Sequence, residues 1–99
     1  MKVDRFLVEF NWDEGNQDKN WLKHKVTIKE CEEVFFDSQK KNYPDPQHSK
    51  GEKRKIIVGK TKRNRILFIV YTLRQNNIRI ISARDLNKRK EVDLYEKTA

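Results

Sequence analysis

The sequence is short of the residue types that build many kinds of functional site. Its 99 residues include one cysteine, two prolines and three glycines. The single cysteine, Cys31, excludes an intramolecular disulfide, and no CxxC or Cys/His cluster of the kind that binds zinc is present. The GxxxxGKS/T, GxGxxG and HExxH motifs are also absent, so nucleotide hydrolysis, dinucleotide redox chemistry and metalloprotease activity have no support. We therefore expect no metal and no organic cofactor.

Long hydrophobic runs are missing as well. The longest apolar stretch, residues 66–71, is far shorter than the roughly 20 residues that a membrane-spanning helix needs. Charged residues follow Met1 at once, so the N-terminus does not resemble a signal peptide. These features predict a cytoplasmic protein that makes no contact with a membrane.

Positive charge is abundant and unevenly distributed. The chain has 23 Lys and Arg residues against 15 Asp and Glu residues, a net charge of +8. Residues 1–37 contain six basic and nine acidic residues, whereas residues 38–99 contain 17 basic and six acidic residues. An electrostatic field polarised in this way favours binding of a polyanion, and it predicts a nucleic-acid partner. The alternative is a basic surface that is only solvated.

Hydrophobic spacing predicts one α+β domain that spans residues 1–99. The clearest helix signal is a capping box of Thr27 and Glu30, followed by an apolar stripe that includes Cys31 and Val34. Three strands follow as an antiparallel meander, and we expect the helices to pack on one face of this sheet. The predicted order is β-α-α-(β)-β-β-β-α, with strands at residues 5–10, 39–43 (the optional one), 53–60, 65–74 and 77–85, and helices at residues 13–24, 27–37 and 87–97.

The last two strands contain the densest cluster of candidate functional residues. If Asn76 and Asn77 form a two-residue turn, Arg74 lies directly opposite Arg79. Two like charges placed opposite each other are unfavourable alone, and they are better explained by a phosphate or carboxylate held between the two guanidinium groups. Two solvated arginines at the end of a hairpin are the alternative.

Arg84 ends the last strand and shares a face with Ser82 and, in that register, with Tyr71. A basic side chain beside an aromatic ring is typical of a nucleotide platform, since bases stack on rings while arginine holds phosphate. The alternatives are a core ring for Tyr71 and a simple charge at the strand end for Arg84.

His48 and Glu52 are the best candidates for proton transfer. RNA cleavage without a metal needs one group to activate the ribose 2′-OH and another to protonate the leaving 5′ oxygen. Histidine titrates near neutral pH and performs either role, and a glutamate serves if its pKa is raised. A solvated loop histidine is the alternative. Lys60 and Lys62, in the basic part of the chain, are further expected RNA contacts.

Short strings along most of the chain resemble the BrnT family. The similarity extends from about Phe10 to Glu96. It rests on Phe10-x-Trp12-Asp13, Asn20-x-x-Lys23-His24-x-Val26, Val34-Phe35-x-Asp37, His48-Ser49-x-Gly51-Glu52-x-Arg54, Gly59, Arg65, Tyr71-Thr72-x-Arg74, Arg79-Ile80-Ile81-Ser82-Ala83-Arg84, Glu91 and Tyr95.

This resemblance implies a RelE-like ribonuclease fold and the toxin role in a type II toxin–antitoxin system. Family members cleave mRNA and so inhibit translation, with ribosome dependence left open. A BrnA-like antitoxin neutralises them, and operator DNA is reached only through that antitoxin. The implied catalytic positions are His48, Glu52, Arg74, Arg79 and Arg84, and the implied RNA-binding positions include Arg54, Arg65 and Tyr71.

The chain departs from the family in two unusually polar segments, residues 14–19 and 39–42. We expect this difference to affect the way the antitoxin binds more than the ability of the protein to cleave RNA. Besides the metal-independent endoribonuclease, two other hypotheses fit the basic charge. One is a non-catalytic RNA-binding or inactive toxin-like protein that acts only through its antitoxin. The other is an interaction module for an acidic protein, which would have no affinity for RNA.

Overall fold

The computed structural model describes residues 9–13, 24–45 and 53–96 of the chain. Four strands form one antiparallel sheet in the order β1-β2-β3-β4, which confirms the predicted α+β class and the meander. The optional strand before the meander is present. In chain order the elements are α1 Ile28–Phe35, β1 Lys41–Pro44, β2 Arg54–Lys60, β3 Ile66–Arg74, β4 Asn77–Asp85 and α2 Val92–Glu96.

Helix α1 begins at the predicted capping box. The Thr27 hydroxyl accepts a hydrogen bond from the Glu30 amide at 3.1 Å, and a Glu30 carboxylate oxygen accepts one from the Thr27 amide at 3.0 Å. These two bonds satisfy amide groups that a helix otherwise leaves without partners. The buried residues of α1 are Cys31, Val34 and Phe35, so the predicted apolar stripe is confirmed.

Helix α1 packs on one side of the sheet, which we call the first face. The core there joins the helix to alternating residues of the strands, among them Ile57, Ile69 and Ile80, each about 1% exposed or less. Cys31 lies in this core, where burial raises the pKa of its thiol to about 12. A thiol in this state is a packing group and not a nucleophile.

Gly59 in β2 allows the close approach of α1 to the first face. A Cβ atom at this position would lie 2.8 Å from Val34 Cγ1 and 2.9 Å from the Val34 carbonyl oxygen. Since one of these atoms belongs to the helix backbone, the clash cannot be relieved by a side-chain rotation alone. Close packing of this kind fixes the distance between helix and sheet.

We therefore expect Gly59→Ala to destabilise the protein by about 2 kcal/mol, because overpacked cores must shift their backbone. In a domain of this size, that loss lowers the midpoint of thermal unfolding by roughly 10 °C. Circular dichroism during heating measures it. An unchanged midpoint would show that α1 does not pack as closely on β2 as the structure indicates.

The opposite side of the sheet, which we call the second face, contacts the C-terminal helix. The Tyr43 hydroxyl donates a hydrogen bond to the Leu94 carbonyl, and Lys60 Nζ lies 5.8 Å from the centroid of the Tyr95 ring. Strand alternation places Tyr43 and Lys60 opposite to the residues that meet α1. The prediction that all helices pack on one face is therefore wrong for α2. The reason is that β1 and β2 carry apolar and aromatic groups on both sides.

Helix α2 begins five residues later than predicted. A turn precedes it. In this turn the Asn87 side-chain oxygen accepts hydrogen bonds from the backbone amides of Arg89 at 3.0 Å and Lys90 at 3.2 Å. In the part of the chain that the structure describes, no helix is long and apolar enough to span a bilayer.

The N-terminal segment lies along the outer edge of β4. Phe10 forms a parallel bridge with Ile78. The Asn11 amide donates to the Ile78 carbonyl, and the Ile78 amide donates to the Glu9 carbonyl, both at 2.7 Å. The predicted first strand is thus paired at its C-terminal end. Its earlier residues, and residues 14–23 of the predicted first helix, lie outside the described residues.

Candidate functional site

The turn between β3 and β4 differs from the predicted one by one residue. Gln75 and Asn76 have positive φ angles of 51° and 68°, which suits the tight hairpin turns that match strand twist. Arg74 therefore pairs with Asn77, and the prediction that Arg74 lies directly opposite Arg79 is wrong. In the predicted register Arg84 would have faced Ile69 beneath α1, where burial of a charge is costly.

A β-bulge in the β3–β4 pair removes this conflict. The register shifts between Val70 and Tyr71, which pair with Ser82 and Ile80, so Ile81 is the extra residue. Beyond the bulge, the fully buried Ala83 pairs with Ile69 on the first face. Arg84 pairs with Phe68 and points to the second face. The bulge thus brings Arg84 to the same face as Arg79.

Tyr71 lies on the first face, so the prediction that it sits beside Arg84 is also wrong. The residue is 7% exposed, and its ring packs edge-on against Phe35 with 5.1 Å between centroids. Its hydroxyl donates to Asn42 Oδ1 at 2.7 Å, and burial raises its pKa. A ring in this position supports the core and offers no platform on which a base could stack.

Four arginines share the second face, and we call this group the arginine face: Arg54, Arg74, Arg79 and Arg84. Arg54 in β2 and Arg79 in β4 flank Thr72 of β3, with Cα atoms about 10 Å apart by the spacing of neighbouring strands. Arg74 follows two residues after Thr72 on the same side. Arg84 lies four residue pairs further along the sheet, or about 13 Å.

The surface of the sheet between Arg54 and Arg79 is tightly packed. Thr72, which lies between them, is 1% exposed, and its hydroxyl donates a hydrogen bond to the Lys53 carbonyl at 2.6 Å. The charged groups at this end of the sheet therefore stand on a packed surface. Such a surface holds guanidinium groups at fixed positions, as the recognition of a phosphate requires.

Arg79 is held by the N-terminal segment. Its guanidinium donates to both carboxylate oxygens of Asp13, at 2.8 and 3.0 Å, and to Asn11 Oδ1 at 3.1 Å. The Arg79 side chain is 15% exposed, whereas that of Asp13 is 54% exposed. A guanidinium has five N–H donors, and these three bonds use three of them. Asp13 and Asn11 thus fix the orientation of Arg79.

Arg84 is held by the segment before α2. Both of its terminal nitrogens bond to Glu91 at 2.8 Å, and Glu91 also accepts the Asn87 amide at 2.8 Å. The guanidinium carbon stacks 4.2 Å from the centroid of Phe68. The hydrogen bond from Arg84 lowers the pKa of Glu91, so this carboxylate stays ionised. Arg84 is therefore a fixed positive group at one end of the arginine face.

Sequence reasoning missed both carboxylate partners. In the sequence, Asp13 begins a predicted helix and belongs to a motif of the family resemblance, and Glu91 enters only through that resemblance. Asp13 and Arg79 are 66 residues apart, so no local pattern connects them. Glu91 is seven residues from Arg84, and the intervening turn sets their contact.

Arg65 is bonded within the fold, and its contact with RNA stays a prediction. It donates to Asp85 at 2.6 and 3.1 Å, to Glu30 at 3.2 Å, and to the carbonyls of Lys25 at 2.7 Å and His24 at 2.9 Å. The hydrogen bond to Asp85 raises the pKa of Arg65. This guanidinium ties β3, β4 and the chain before α1 together.

Two lysines are also among the predicted RNA contacts. Lys60 lies on the second face next to α2, and Lys62 lies in the turn between β2 and β3. His48 and Glu52 lie outside the described residues. Within residues 9–13, 24–45 and 53–96, no group of three or more His, Cys, Asp or Glu side chains is arranged to hold a metal ion.

Comparison with known proteins agrees with the resemblance seen in the sequence. The family model described as the ribonuclease toxin BrnT of type II toxin–antitoxin systems matches residues 12–90. No curated protein matches the chain. The matched range includes β1–β4, all four residues of the arginine face, and Asp13, the partner of Arg79. Glu91, the partner of Arg84, lies one residue beyond it. The chain therefore belongs to the BrnT family of ribonuclease toxins.

Proposed function

We propose that this protein is a metal-independent endoribonuclease that cleaves mRNA and thereby inhibits translation. The observation that carries the proposal is the arginine face. Four guanidinium groups from three strands stand on the side of the sheet opposite to α1. Arginine matches phosphate geometry with two parallel N–H groups, so such a row is suited to an RNA backbone.

The arginines supply binding and charge stabilisation. Arg54, Arg74 and Arg79 lie close enough to surround one phosphodiester, and Arg84, about 13 Å away, lies where it can bind a phosphate further along the same strand. A phosphate under attack gains negative charge, and prearranged cations lower the energy of that state. A guanidinium is too weak an acid to exchange protons at neutral pH, so these residues need partners for proton transfer.

We assign proton transfer to His48 and Glu52, as the sequence suggests. One of them removes the proton from the ribose 2′-OH, and the 2′ oxygen attacks the adjacent phosphorus. The other protonates the 5′ oxygen as the phosphorus–oxygen bond breaks. The products are a 2′,3′-cyclic phosphate and a free 5′-hydroxyl. The sequence places Glu52 two positions before Arg54.

The biological setting follows from the family. A type II ribonuclease toxin has a protein antitoxin. We propose that a BrnA-like protein neutralises this chain and links it to operator DNA, and that the chain forms a single RelE-like domain that acts in the cytoplasm. The four-stranded antiparallel sheet with a helix packed on one face is compatible with that fold.

Incubation of the purified protein with an end-labelled single-stranded RNA of 24 nucleotides tests this function. We expect cleavage in the presence of EDTA and products that end in a 2′,3′-cyclic phosphate. An oligonucleotide of the same sequence with 2′-deoxyribose at the cleaved position is the matched control. It should bind and remain intact, because the attacking hydroxyl is missing. Cleavage of this control, or cleavage only with Mg²⁺, would contradict the proposed chemistry.

The same assay separates the two other hypotheses. RNA that is bound with a steep salt dependence but never cut would identify a non-catalytic binding protein. No RNA binding at low salt would favour an interaction module for an acidic protein. A growth assay with the protein expressed alone, and then with the product of an adjacent small gene, tests the toxin and antitoxin roles.

A further inference from the structure

A second basic surface lies away from the arginine face, beside the turn between β2 and β3. The N-terminal part of α1 and this turn enclose a cleft of about 570 Å³. Five cationic and two anionic side chains line it. We call it the turn cleft, and its lining is Lys25, Thr27, Lys29, Glu30, Glu33, Lys62, Arg63 and Arg65.

The turn that forms one wall is fixed by hydrogen bonds. The Thr61 amide donates to the Arg65 carbonyl at 2.8 Å, and the Asn64 amide donates to the Thr61 carbonyl at 3.0 Å. The Thr61 hydroxyl accepts the Arg65 amide at 3.1 Å. From the helix, the Glu33 carboxylate accepts the Lys62 amide, also at 3.1 Å. The turn therefore presents its side chains from a defined backbone.

The charge inside the cleft is not balanced. Glu30 is neutralised by its ion pair with Arg65 at 3.2 Å. Lys29, Lys62 and Arg63 are exposed to solvent around the cleft. A concave basic surface concentrates field lines and attracts an anion more strongly than a flat one.

The turn cleft lies near one end of the arginine face. Arg65, at the border of the cleft, forms an ion pair with Asp85 at 2.6 Å. Asp85 follows Arg84 directly and ends β4, with its side chain on the first face. A chain of phosphates that passes Arg84 on the second face therefore reaches Lys62 and Arg63 by turning around this end of the sheet.

We propose that the turn cleft binds the part of an RNA strand that extends beyond the arginine face, through its phosphates. This inference rests on the proposed function, which makes RNA the polyanion. The cleft contributes affinity for long substrates and no chemistry. A short RNA that covers only the sheet does not reach it.

A pair of matched variants tests the proposal. The double substitution Lys62→Gln/Arg63→Gln removes two charges from the turn cleft. Lys88→Gln/Arg89→Gln removes the same two residue types from another exposed turn. Binding of a 24-nucleotide and a 6-nucleotide RNA is measured by fluorescence anisotropy at several salt concentrations. Cleavage of the 24-nucleotide RNA gives kcat and KM, and thermal unfolding checks that both variants are folded.

We expect the turn-cleft variant to bind the 24-nucleotide RNA about 10-fold more weakly, with a salt slope smaller by about 1.4, since each lost phosphate contact on a single strand contributes about 0.7. KM should rise by a similar factor while kcat stays constant. Binding of the 6-nucleotide RNA, and both measurements on the Lys88→Gln/Arg89→Gln variant, should stay within 2-fold of the original protein.

Equal losses in the two variants would overturn the proposal, because they would show an effect of net charge alone. Unchanged binding by the turn-cleft variant would overturn it as well, and weaker binding of the antitoxin by that variant would then assign the cleft to a protein partner. If both RNAs bind as expected and neither is cut, the proposed catalytic function fails while the turn-cleft inference stands.

Discussion

Replacement of Arg79 by alanine should reduce kcat for RNA cleavage about 100-fold, with a smaller change in KM. Removal of one prearranged group that stabilises developing negative charge typically costs a factor of this size. The position of Arg79 is fixed by Asp13 and Asn11. It also stands across Thr72 from Arg54, where a phosphodiester would be held between two strands. Single-turnover cleavage of the end-labelled RNA measures the effect.

Two further variants separate the charge of Arg79 from its structural contacts. Asp13→Asn removes the carboxylate of the ion pair and keeps the guanidinium, so it should retain most of the activity. Arg79→Lys keeps a positive charge but loses the paired N–H groups, and we expect an intermediate rate. Full activity of Arg79→Ala would remove this residue from the site. An equal loss in Asp13→Asn would show that the ion pair, and not the guanidinium, is what matters.

The largest effect on stability is expected for Arg65→Ala, at about 3 kcal/mol. The substitution breaks hydrogen bonds to two carboxylates and leaves the carbonyls of His24 and Lys25 without this donor. Groups that lose a charged partner in a partly buried site cost a few kcal/mol together. The midpoint of thermal unfolding should fall by roughly 15 °C. Urea denaturation gives the free energy of unfolding directly.

Arg63→Ala is the matched control for this prediction. Arg63 lies in the same turn and is exposed, so its loss should change the free energy of unfolding by less than about 0.5 kcal/mol. Similar losses in both variants would contradict the assignment of Arg65 as the residue that ties β3, β4 and the chain before α1 together. Arg65→Lys should recover only part of the stability, since one ammonium cannot reach all four partners.

Local patterns in the sequence predicted the strands and the start of the main helix well. The capping box at Thr27 needs only neighbouring residues, so the sequence contains all the information that forms it. The strand β4 has the predicted bounds, Asn77–Asp85, because it is rich in isoleucine and follows a turn segment. The short strand β1 was weakly indicated, since only its pairing with β2 stabilises it.

Register and long-range pairing could not be predicted in the same way. Asn76 and Asn77 both tolerate a positive φ angle, so the turn chemistry alone left the register open. The sequence does contain a signal for the bulge. Ile80 and Ile81 are consecutive apolar residues, and the next apolar residue, Ala83, is an odd number of positions from Ile80, so regular alternation does not place both on one face. The partners of Arg79 and Arg65 are set by the tertiary fold, which no local spacing encodes.

The placement of α2 on the second face shows the same limit. The sequence predicts this helix, but the surface that it contacts depends on which sides of β1 and β2 are already covered. The sequence predicts the four residues of the arginine face as functional residues, but it does not predict how they are arranged on the sheet. Arg74 and Arg79 are diagonal neighbours rather than opposite ones, and Arg84 joins them only through the bulge.

The extra residue Ile81 has a consequence for how this protein tolerates changes in length. In an extended strand, the side on which a residue emerges depends on whether its distance from a reference position is odd or even. Arg79 and Arg84 are separated by an odd interval, and Ile81 makes it behave as an even one. Deletion of Ile81 would therefore remove the bulge and leave Ser82 and Arg84 on the second face, because regular alternation from Ile80 gives the same sides. Insertion of one more residue without a second bulge would instead turn Ser82 and Arg84 towards α1 and Ala83 away from it. The number of residues between Ile80 and Ala83 thus determines on which side of the sheet the charge at the end of β4 lies.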